Sequence, residues 1–414
     1  MKTVVIFAPF WRQVGHIGNN RVERFVRWLA EDAYYVVVVC AGSSDDEQQK
    51  SWGQEITVRD RMGLFRNPSS DGGKPLKQRK PNKLRRTVAY WLFNPDPSVV
   101  WARAAARHSK VIQAVTGAQF ILSSSPPESA HVGAWMLAQQ LKVPHIVDMR
   151  DGWLDEPIKP ILLSSAFRRW QEGRLEKRIL KSAVTVLVTS DEWKDLLCQR
   201  LPNLSSKVHI LTNGYPQYNF VMPILEEQAN KPLLLIHAGR FLGSQLTRSP
   251  DLLLAPLLLS LSSHSVKGVI QLIGSLSVDE IKIIERFKEK FAAIGWEIEY
   301  TGNLPRQELL ALLQKADGLL LLSASYAAIP SKLFEYIPTG KPIFAVTERG
   351  SATWRVCEEL PQVTLVDAQN NNKGTQYFDF TPLLKVAPSI PEKYSENELK
   401  KVLLHAMDKI VPVK

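Results

Sequence analysis

A short segment near residue 330 combines the features of an anion site. Pro330 suits the start of a helix, Ser331 is a good N-cap residue, and Gly340 suits the end of that helix about three turns later. The first backbone N–H groups of such a helix, those of Lys332 and Leu333, have no partner within the helix and lie at the positive end of its dipole. The segment therefore predicts a site for a phosphate or diphosphate group.

Glu335 lies one turn into the same predicted helix, on the face that begins at Ser331. A carboxylate there can accept hydrogen bonds from both hydroxyls of a ribose while the helix start holds the phosphates. This combination predicts a nucleoside diphosphate pocket. A second interpretation stays open, in which the helix is only amphipathic and Glu335 is solvated.

Two arginines follow another predicted strand. Arg240 follows the apolar run Leu233–Ala238 after a single glycine, and Arg248 lies at the start of the next apolar helical pattern. A guanidinium group can bind two phosphate oxygens at once and can compensate the charge that develops on a departing phosphate. The chain has no Asp-x-Asp sequence, so we expect neither a metal ion nor another cofactor. The alternative is that both arginines are surface residues of a basic protein.

The first half offers further candidates in loops. Gly15 and Gly18 follow the first predicted strand, where glycine lets the backbone approach a ligand or adopt positive φ. Their spacing is not that of a dinucleotide fingerprint, so NAD binding gains no support, and a plain turn is the alternative. His131 follows a Ser-Ser-Ser-Pro-Pro turn at a predicted helix start, where histidine is either a cap or surface residue or part of a site.

Asp148, Arg150 and Asp151 end another predicted strand. In a doubly wound parallel sheet, the carboxyl ends of the strands form the ligand-binding edge. The acidic residues can form an internal pair with an arginine that shapes the loop, or contact a substrate hydroxyl, and both interpretations remain open. Asp151 is the better candidate for that contact, and it would act as a base if the hydroxyl had to lose its proton to the protein.

The composition limits the class of protein. The chain has 414 residues, 45% hydrophobic and 22% charged, which suits two globular domains. Cys40, Cys198 and Cys357 lie far apart and predict neither disulfides nor a zinc site, so we expect a reducing, cytoplasmic compartment. The first residues predict a buried strand and not a signal peptide, and no apolar run is long enough to cross a bilayer. The net charge of +11 calls for an anionic partner.

One cationic segment, Lys74 to Phe93, ends in the aromatic sequence Tyr90-Trp91-Leu92-Phe93. Cations that border an aromatic stripe suit the anionic inner face of a membrane, where we expect peripheral attachment. The stripe could equally be a core helix after a solvated loop. A second basic helical pattern, Phe167 to Lys181, favours a core interpretation because three of its apolar side chains would pack on a sheet. No nucleic-acid module is recognised, so no nucleic-acid partner is expected.

Short apolar runs alternate with helical patterns throughout, which indicates parallel sheets with helices on both faces. The predicted strands are Val4 to Ala8, Tyr35 to Cys40, Phe120 to Ser123, His145 to Asp148, Val184 to Thr189, Val208 to Leu211, Leu233 to Ala238, Val269 to Ile273, Ile298 to Thr301, Gly318 to Leu322 and Ile343 to Val346. A turn-rich stretch after Asn213 predicts a linker, and Ser395 to Ile410 has the pattern of a closing helix.

These segments together resemble the GT-B-fold nucleotide-sugar glycosyltransferases of family 4, which include bacterial surface-polysaccharide enzymes. The resemblance spans nearly the whole chain, and its motifs, each weak alone, occur in the family's order. They are Asn94-Pro95-Asp96 with Trp101, Ser123 to His131, Val147 to Trp153, Thr212 to Tyr215, His237 to Arg240 with Arg248, Gly302 to Pro305, and Ser331 to Glu335.

The resemblance implies an α/β GT-B fold, with two Rossmann-like doubly wound parallel-sheet domains facing a cleft and a C-terminal closing helix. The expected acceptor domain is 1–214, the linker 215–232, the donor domain 233–392 and the closing helix 393–414. The implied activity is transfer of a hexosyl or N-acetylhexosaminyl group from a nucleotide diphosphate donor, UDP-sugar being expected, to a hydroxyl of a glycan or lipid-linked acceptor.

The resemblance also implies roles for the candidate residues. The expected catalytic residues are His131, Asp151, Arg240 and Arg248. The expected donor-binding residues are Gly15, Gly18, Gly302, Asn303, Ser331, Lys332, Leu333 and Glu335. No metal is expected.

The chain departs from the family's pattern at one position. Retaining members carry a Glu-x7-Glu pair, and the first position of that pair is Ala327 in this chain. Retention is still expected, because the departing phosphate can act as the base. Two other functions stay open: a GT-B-like sugar-nucleotide epimerase and a non-catalytic sugar-nucleotide binding protein.

Overall fold

The computed structural model describes most of the chain. The described residues are 2–13, 18–65, 93–157, 165–215, 232–241, 249–263, 266–323, 325–369 and 391–408. The chain divides into two compact units. The first comprises Met1–Thr189, Trp193–Leu211 and Val402–Lys414, and the second comprises Ser190–Glu192 and Thr212–Lys401.

The first unit is built on an eight-stranded sheet. Its strands are β1 (Lys2–Phe7), β2 (Tyr34–Gly42), β3 (Asp46–Lys50), β4 (Gly53–Arg59), β5 (Phe120–Ser125), β6 (His145–Met149), β7 (Thr185–Val188) and β8 (Val208–Ile210). The spatial order is β3-β4-β2-β1-β5-β6-β7-β8, and only the β3–β4 pair in this order is antiparallel. The strand order therefore switches direction between β1 and β5, the place where such sheets bind ligands.

The second unit is built on a six-stranded parallel sheet. Its strands are β9 (Leu233–Ala238), β10 (Gly268–Ile273), β11 (Trp296–Thr301), β12 (Gly318–Ser323), β13 (Ile343–Thr347) and β14 (Val363–Asp367), in the order β11-β10-β9-β12-β13-β14. Here the order switches between β9 and β12. Leu235 and Ile236, adjacent on β9, lie in different hydrophobic clusters, because successive side chains point to opposite faces of the sheet. Both faces of this sheet are therefore covered.

Twelve α-helices lie in the described part of the chain. They are α1 (Asn19–Glu31), α2 (Val99–Ala105), α3 (Ser109–Thr116), α4 (Ser129–Leu141), α5 (Ala166–Ser182), α6 (Asp191–Arg200), α7 (Pro250–Ser262), α8 (Val278–Ala292), α9 (Arg306–Lys315), α10 (Leu333–Tyr336), α11 (Ala352–Glu358) and α12 (Glu396–Asp408). Within the described ranges, none of these helices has the length and apolar content needed to span a bilayer.

The predicted fold class, with its two Rossmann-like parallel sheets, is confirmed, and each predicted strand is present with small differences at its ends. Three strands were missed. β3 is almost wholly exposed and has no alternation of apolar and polar residues. β14 is a half-buried edge strand. Neither strand has the continuous apolar run that is typical of a central parallel strand. β4 begins at a glycine and was also missed. The closing helix is present as α12. The predicted linker lies outside the described residues except for Tyr215 and Pro232.

Candidate active site

Asp148 is fully buried at the end of β6 and is held by an arginine from α1. Its carboxylate accepts hydrogen bonds from Arg21 Nε at 3.0 and 3.1 Å, from Arg21 Nη2 at 2.7 Å and from Ser124 Oγ at 2.7 Å. Arg21 Nη2 also donates to the carbonyl of Leu211 at 2.8 Å. The internal Arg–Asp pair considered from the sequence therefore exists, but its arginine is Arg21 and not the adjacent Arg150. These bonds make Asp148 a structural residue of the edge.

Arg150 has a different task. Its guanidinium group donates to the carbonyls of Ser125 at 2.7 Å and Pro126 at 2.8 Å, and so it holds the turn between β5 and α4. Asp151, the next residue, is exposed. This exposure is compatible with contact to a substrate hydroxyl, and that role stays a prediction.

His131 is fully buried in the first turn of α4, so the cap and surface interpretations are wrong for it. Its Nδ1 is 2.7 Å from Ser123 Oγ, and the same hydroxyl is 2.7 Å from His145 Nε2. The ring of His131 packs against Trp153, with ring centroids 5.8 Å apart. We refer to the three hydrogen-bonded residues as the His–Ser–His chain.

Burial holds both histidines of this chain neutral. Desolvation, with a smaller contribution from Arg150, lowers the pKa of His131 from 6.5 to about 3, and desolvation with the neighbouring His131 lowers the pKa of His145 to about 3. Within the described part of the structure, His131 Nε2 and His145 Nδ1 have no hydrogen-bond partner. The free nitrogen of a neutral imidazole can accept a hydrogen bond from a sugar hydroxyl or donate one to it, depending on the tautomer. A neutral imidazole is nevertheless a poor general acid at neutral pH.

The tautomers of the two histidines are coupled through Ser123. The serine hydroxyl has one proton, so it donates to one ring and accepts from the other. If it donates to His131 Nδ1, then His131 Nε2 carries the proton. If it donates to His145, then His131 Nε2 is an acceptor. His145 thereby influences what His131 can offer a ligand.

In the second unit, a histidine–lysine pair lies near the end of β9. His237 is fully buried, and its Nδ1 is 3.0 Å from the carbonyl of Leu320 on β12. A carbonyl only accepts, so Nδ1 carries the proton and the lone pair of Nε2 faces Lys332 Nζ at 3.2 Å. The His237 ring also stacks on Phe241, with centroids 4.3 Å apart. Lys332, which is half-buried, is therefore held beside the switch between β9 and β12.

Two glycines bring the backbone together beside this lysine. Gly239 has φ +105° and Gly274, after β10, has φ +139°, which other residues rarely adopt. A Cβ atom at Gly274 would lie 3.0 Å from the carbonyl carbon and oxygen of Gly239, and one at Gly239 would lie 3.7 Å from Lys332 Nζ. Arg240 follows and is exposed. An ammonium group beside an uncovered glycine backbone suits an oxyanion such as phosphate.

The segment from Pro330 to Gly340 differs in structure from its prediction. The α-helix α10 has only four residues, and Ile337–Thr339 continue it as a 3-10 turn. Pro338 has no N–H to donate, which explains why the α-helix stops early. Gly340 ends the turn with φ +67°, as expected. Gly340 was thus predicted correctly as the end of the helical segment, but the predicted length of the α-helix was wrong.

The predicted start of α10 also needs correction. Ser331 makes no side-chain capping bond, because the N-cap position belongs to Lys332. The N–H of Leu333, expected to bind phosphate, donates to the carbonyl of Pro330 at 3.0 Å, and the Leu333 side chain is fully buried. The prediction that this N–H is available to a ligand is therefore wrong. The Lys332 side chain is the stronger phosphate candidate.

Glu335 lies on α10, where Arg306 Nη1 at the start of α9 is 2.9 Å from its carboxylate. Gly302 and Asn303 are exposed in the loop that leads to α9. The carboxylate keeps further acceptor positions after binding one N–H, so ribose binding stays a prediction. Ala327, at the position of the family's first glutamate, is buried.

The remaining candidates are placed as follows. Gly15 and Arg248 lie outside the described residues. Gly18 precedes α1 with φ −59°, a conformation open to any residue, so positive φ is not its role. Among the described residues, no cluster of three or more His, Cys, Asp or Glu could hold a metal ion. The sequence reasoning missed His237 and the His145–Ser123 pair, although His237 and Ser123 both stood in motifs that it quoted.

Comparison with known proteins relates this geometry to a family. The model described as "Glycosyl transferase 4-like domain" matches residues 18–214. A search of curated proteins by sequence gave no match. Sucrose-phosphate synthase from Thermosynechococcus elongatus is similar in structure, with a TM-score of 0.60 and 15% identity, over 99% of this chain and 97% of that one.

Two further similar structures contain nucleotide ligands. "Trehalose-6-phosphate from E. coli bound with UDP-2-fluoro glucose" has a TM-score of 0.62 and 12% identity, over 99% of this chain and 100% of that one. Anabaena HepE in complex with UDP and glucose has a TM-score of 0.57 and 12% identity, with the same coverage. Residues 18–214 therefore match a glycosyl transferase 4-like domain, and the chain has the GT-B fold that its motifs predicted.

Proposed function

We propose that the protein transfers a sugar from a UDP-sugar donor to a hydroxyl of a glycan or lipid-linked acceptor in cell-envelope polysaccharide synthesis. The observation that carries the proposal is the pairing of Lys332 with His237 beside the glycine backbone of Gly239, at the strand switch of the second sheet. The UDP ligands of two structural relatives support uridine as the base. The transferred group is a hexosyl or N-acetylhexosaminyl unit.

In this proposal the second unit binds the donor. Lys332 and Arg240 bind the diphosphate, with Arg248 as a third cation, and Glu335 accepts hydrogen bonds from the ribose. Gly302 and Asn303 contribute the loop before α9. Fixed cations stabilise the charge that grows on the leaving phosphate, so no metal ion is required.

In this proposal the first unit contacts the transferred sugar and binds the acceptor. His131 Nε2 is the one nitrogen of that ring without a partner in the described residues, and it contacts a hydroxyl of the transferred sugar. Asp151 contacts the acceptor hydroxyl. Because His131 is neutral, its contribution is orientation and not proton transfer.

We propose that the reaction retains configuration. The bond between the anomeric carbon and the phosphate oxygen breaks, and its electron pair goes to the phosphate. The acceptor oxygen attacks the same face, and its proton passes to the departing phosphate oxygen. This route needs no protein nucleophile and is compatible with Ala327. An inverting reaction would need a base, for which Asp151 is the candidate.

We also propose a cytoplasmic location with peripheral attachment to the inner face of a membrane. The motivating segment, Lys74 to Phe93, lies outside the described residues except for Phe93. Attachment would bring the first unit to a lipid-linked acceptor.

Product analysis with a donor panel tests the function. UDP-, GDP- and ADP-sugars are incubated with acceptor glycans, with and without EDTA, and products are examined by mass spectrometry and by NMR of the anomeric proton. We expect released UDP and a glycosylated acceptor in which the transferred sugar keeps the anomeric configuration that it had in the donor. EDTA should have no effect. An epimerised donor would replace the proposal with the epimerase function, and nucleotide binding without turnover would replace it with a binding function.

A further inference from the structure

Helix α5 (Ala166–Ser182) separates its charges by sign. Its two carboxylates, Glu172 and Glu176, are fully buried. Its exposed charged residues are all cationic: Arg169, Arg174, Lys177, Arg178 and Lys181. The helix therefore presents a positive surface with no exposed acid of its own, although its overall composition is mixed.

The same surface carries two exposed aromatic residues. Phe167 is 58% exposed and Trp170 is 54% exposed, and their rings stack with centroids 5.8 Å apart. The guanidinium carbon of Arg174 is 4.9 Å from the centre of the Trp170 ring. Adjacent large apolar side chains held in water are unfavourable, and such patches usually mark a binding surface.

The aromatic and cationic side chains form one stripe. Phe167, Trp170, Arg174, Lys177 and Lys181 recur at the three- and four-residue spacing of a single helix face. We call these five residues the α5 stripe. The helix has 17 residues and is therefore about 25 Å long, with the aromatic residues at one end and the cations along the rest.

The opposite face fixes the helix firmly in the first unit. Glu172 accepts a hydrogen bond from Trp153 Nε1 at 2.9 Å, and Arg200 donates to Glu176 at 2.5 and 2.9 Å. The buried guanidinium of Arg168 donates to the carbonyls of Phe93 and Pro95. The stripe is thus presented on a rigid support.

An ordinary solvated helix of the same protein has a different pattern. Helix α8 (Val278–Ala292) also carries exposed cations, but acids alternate with them: Lys282 pairs with Asp279 at 3.4 Å, and Lys288 pairs with Glu285 at 2.8 Å. Its surface charge is locally balanced. The α5 stripe has no such balance, so solvation alone does not account for it.

We propose that the α5 stripe docks on an anionic lipid bilayer. Phe167 and Trp170 enter the interface between headgroups and acyl chains, and Arg174, Lys177 and Lys181 bind lipid phosphates. Stacked aromatic residues at one end of a straight cationic helix suit a flat anionic surface with an apolar layer beneath it. The inference rests on the proposed peripheral attachment and gives it a surface in the described structure.

Vesicle flotation of the full chain tests the proposal. The arms are neutral phosphatidylcholine vesicles and vesicles with about 30% phosphatidylglycerol. The aromatic variant is Phe167→Ser/Trp170→Ser, and the charge variant is Arg174→Gln/Lys177→Gln/Lys181→Gln. The control variant, Lys282→Gln/Arg286→Gln/Lys290→Gln, removes the same charge from exposed positions of α8.

We expect the native chain to float only with anionic vesicles and to dissociate at high salt. The charge variant should bind about 100-fold more weakly, because each cation near an anionic leaflet contributes about fivefold. The aromatic variant should lose at least about tenfold, and the control should change less than about twofold. Equal binding by the native chain and both α5 variants would overturn the proposal.

Two further arms separate the alternatives. Loss of flotation only in Lys77→Gln/Arg79→Gln/Lys80→Gln/Lys83→Gln would assign attachment to the other basic segment and refute the α5 surface. Binding of the chain to RNA, with no binding to vesicles, would identify a nucleic-acid surface instead and refute the proposal. Transfer to a soluble acceptor, measured in parallel, distinguishes loss of membrane binding from failure of the proposed enzymatic function.

Discussion

The carboxyl edges of the two sheets use polar residues in opposite ways. At the edge of the first sheet, Asp148 and Arg21 are buried and bonded to each other, and in the His–Ser–His chain the buried Nε2 of His131 has no hydrogen-bond partner among the described residues. At the edge of the second sheet, Lys332 is half-buried, Arg240 is exposed and the glycine backbone is uncovered. The first edge is a rigid scaffold, and the second is an open cationic surface suited to phosphate.

The largest expected effect is on stability, at the first edge. Arg21→Met leaves the Asp148 carboxylate buried without its charged partner and should lower the free energy of unfolding by about 3–5 kcal/mol. The corresponding change at the second edge, Lys332→Met, should cost less than about 1.5 kcal/mol, because the His237 acceptor that it leaves is neutral. Urea unfolding of both variants measures the difference. Equal losses would mean that the two edges do not differ as described.

The second prediction concerns the pH dependence of stability. His131 and His145 have pKa values of about 3 in the folded chain, so between pH 6.5 and 3 the unfolded chain binds more protons. Their contribution to stability is present above pH 6.5 and is lost as the pH falls, at about 2.7 kcal/mol per pH unit for the pair. The variant His131→Asn/His145→Gln keeps hydrogen-bonding atoms near Ser123 without titrating. Its unfolding free energy should fall less steeply with decreasing pH.

Asp96 provides a control of opposite sign for this prediction. It is buried and accepts hydrogen bonds from Ser98 and Ser129, and burial, followed by the charge of Glu128, raises its pKa to about 6. Its contribution is present below pH 3.8 and is lost as the pH rises through 6, so Asp96→Asn should steepen the loss of stability on acidification between these values.

Parallel curves of unfolding free energy against pH for the native chain and the histidine variant would show that the two histidine rings are not held neutral.

A third, smaller effect concerns nucleoside recognition at the second edge. Glu335→Ala should weaken binding of uridine and of UDP equally, by about 1.5–3 kcal/mol, because the carboxylate is proposed to contact the ribose that both contain. Calorimetric titration measures it, and Glu308→Ala, an exposed glutamate on α9, is the matched control. Unchanged affinity in a folded Glu335 variant would leave Glu335 only as the partner of Arg306.

The sequence predicted the central strands well because each is a short apolar run buried on both faces, as in Leu233–Ala238. It failed at β3, whose exposed residues have no pattern to read. It also could not pair Arg21 with Asp148, because they are 127 residues apart and no local periodicity relates them. The short α10 was predictable in principle from Pro338, but the hydrogen bond from Leu333 to Pro330 depends on backbone geometry that composition does not show.

The most direct test of the account is calorimetric titration of UDP and uridine into the native chain, Lys332→Met and the control Lys315→Met, an exposed lysine on α9. If the second edge binds the diphosphate through Lys332, this variant should bind UDP about 10- to 150-fold more weakly and uridine within about twofold of the native chain, because a hydrogen bond to a charged group contributes about 1.5–3 kcal/mol. The control should match the native chain for both ligands. UDP affinity that is unchanged in Lys332→Met, or an equal loss for UDP and uridine, would contradict the assignment of phosphate binding to this edge.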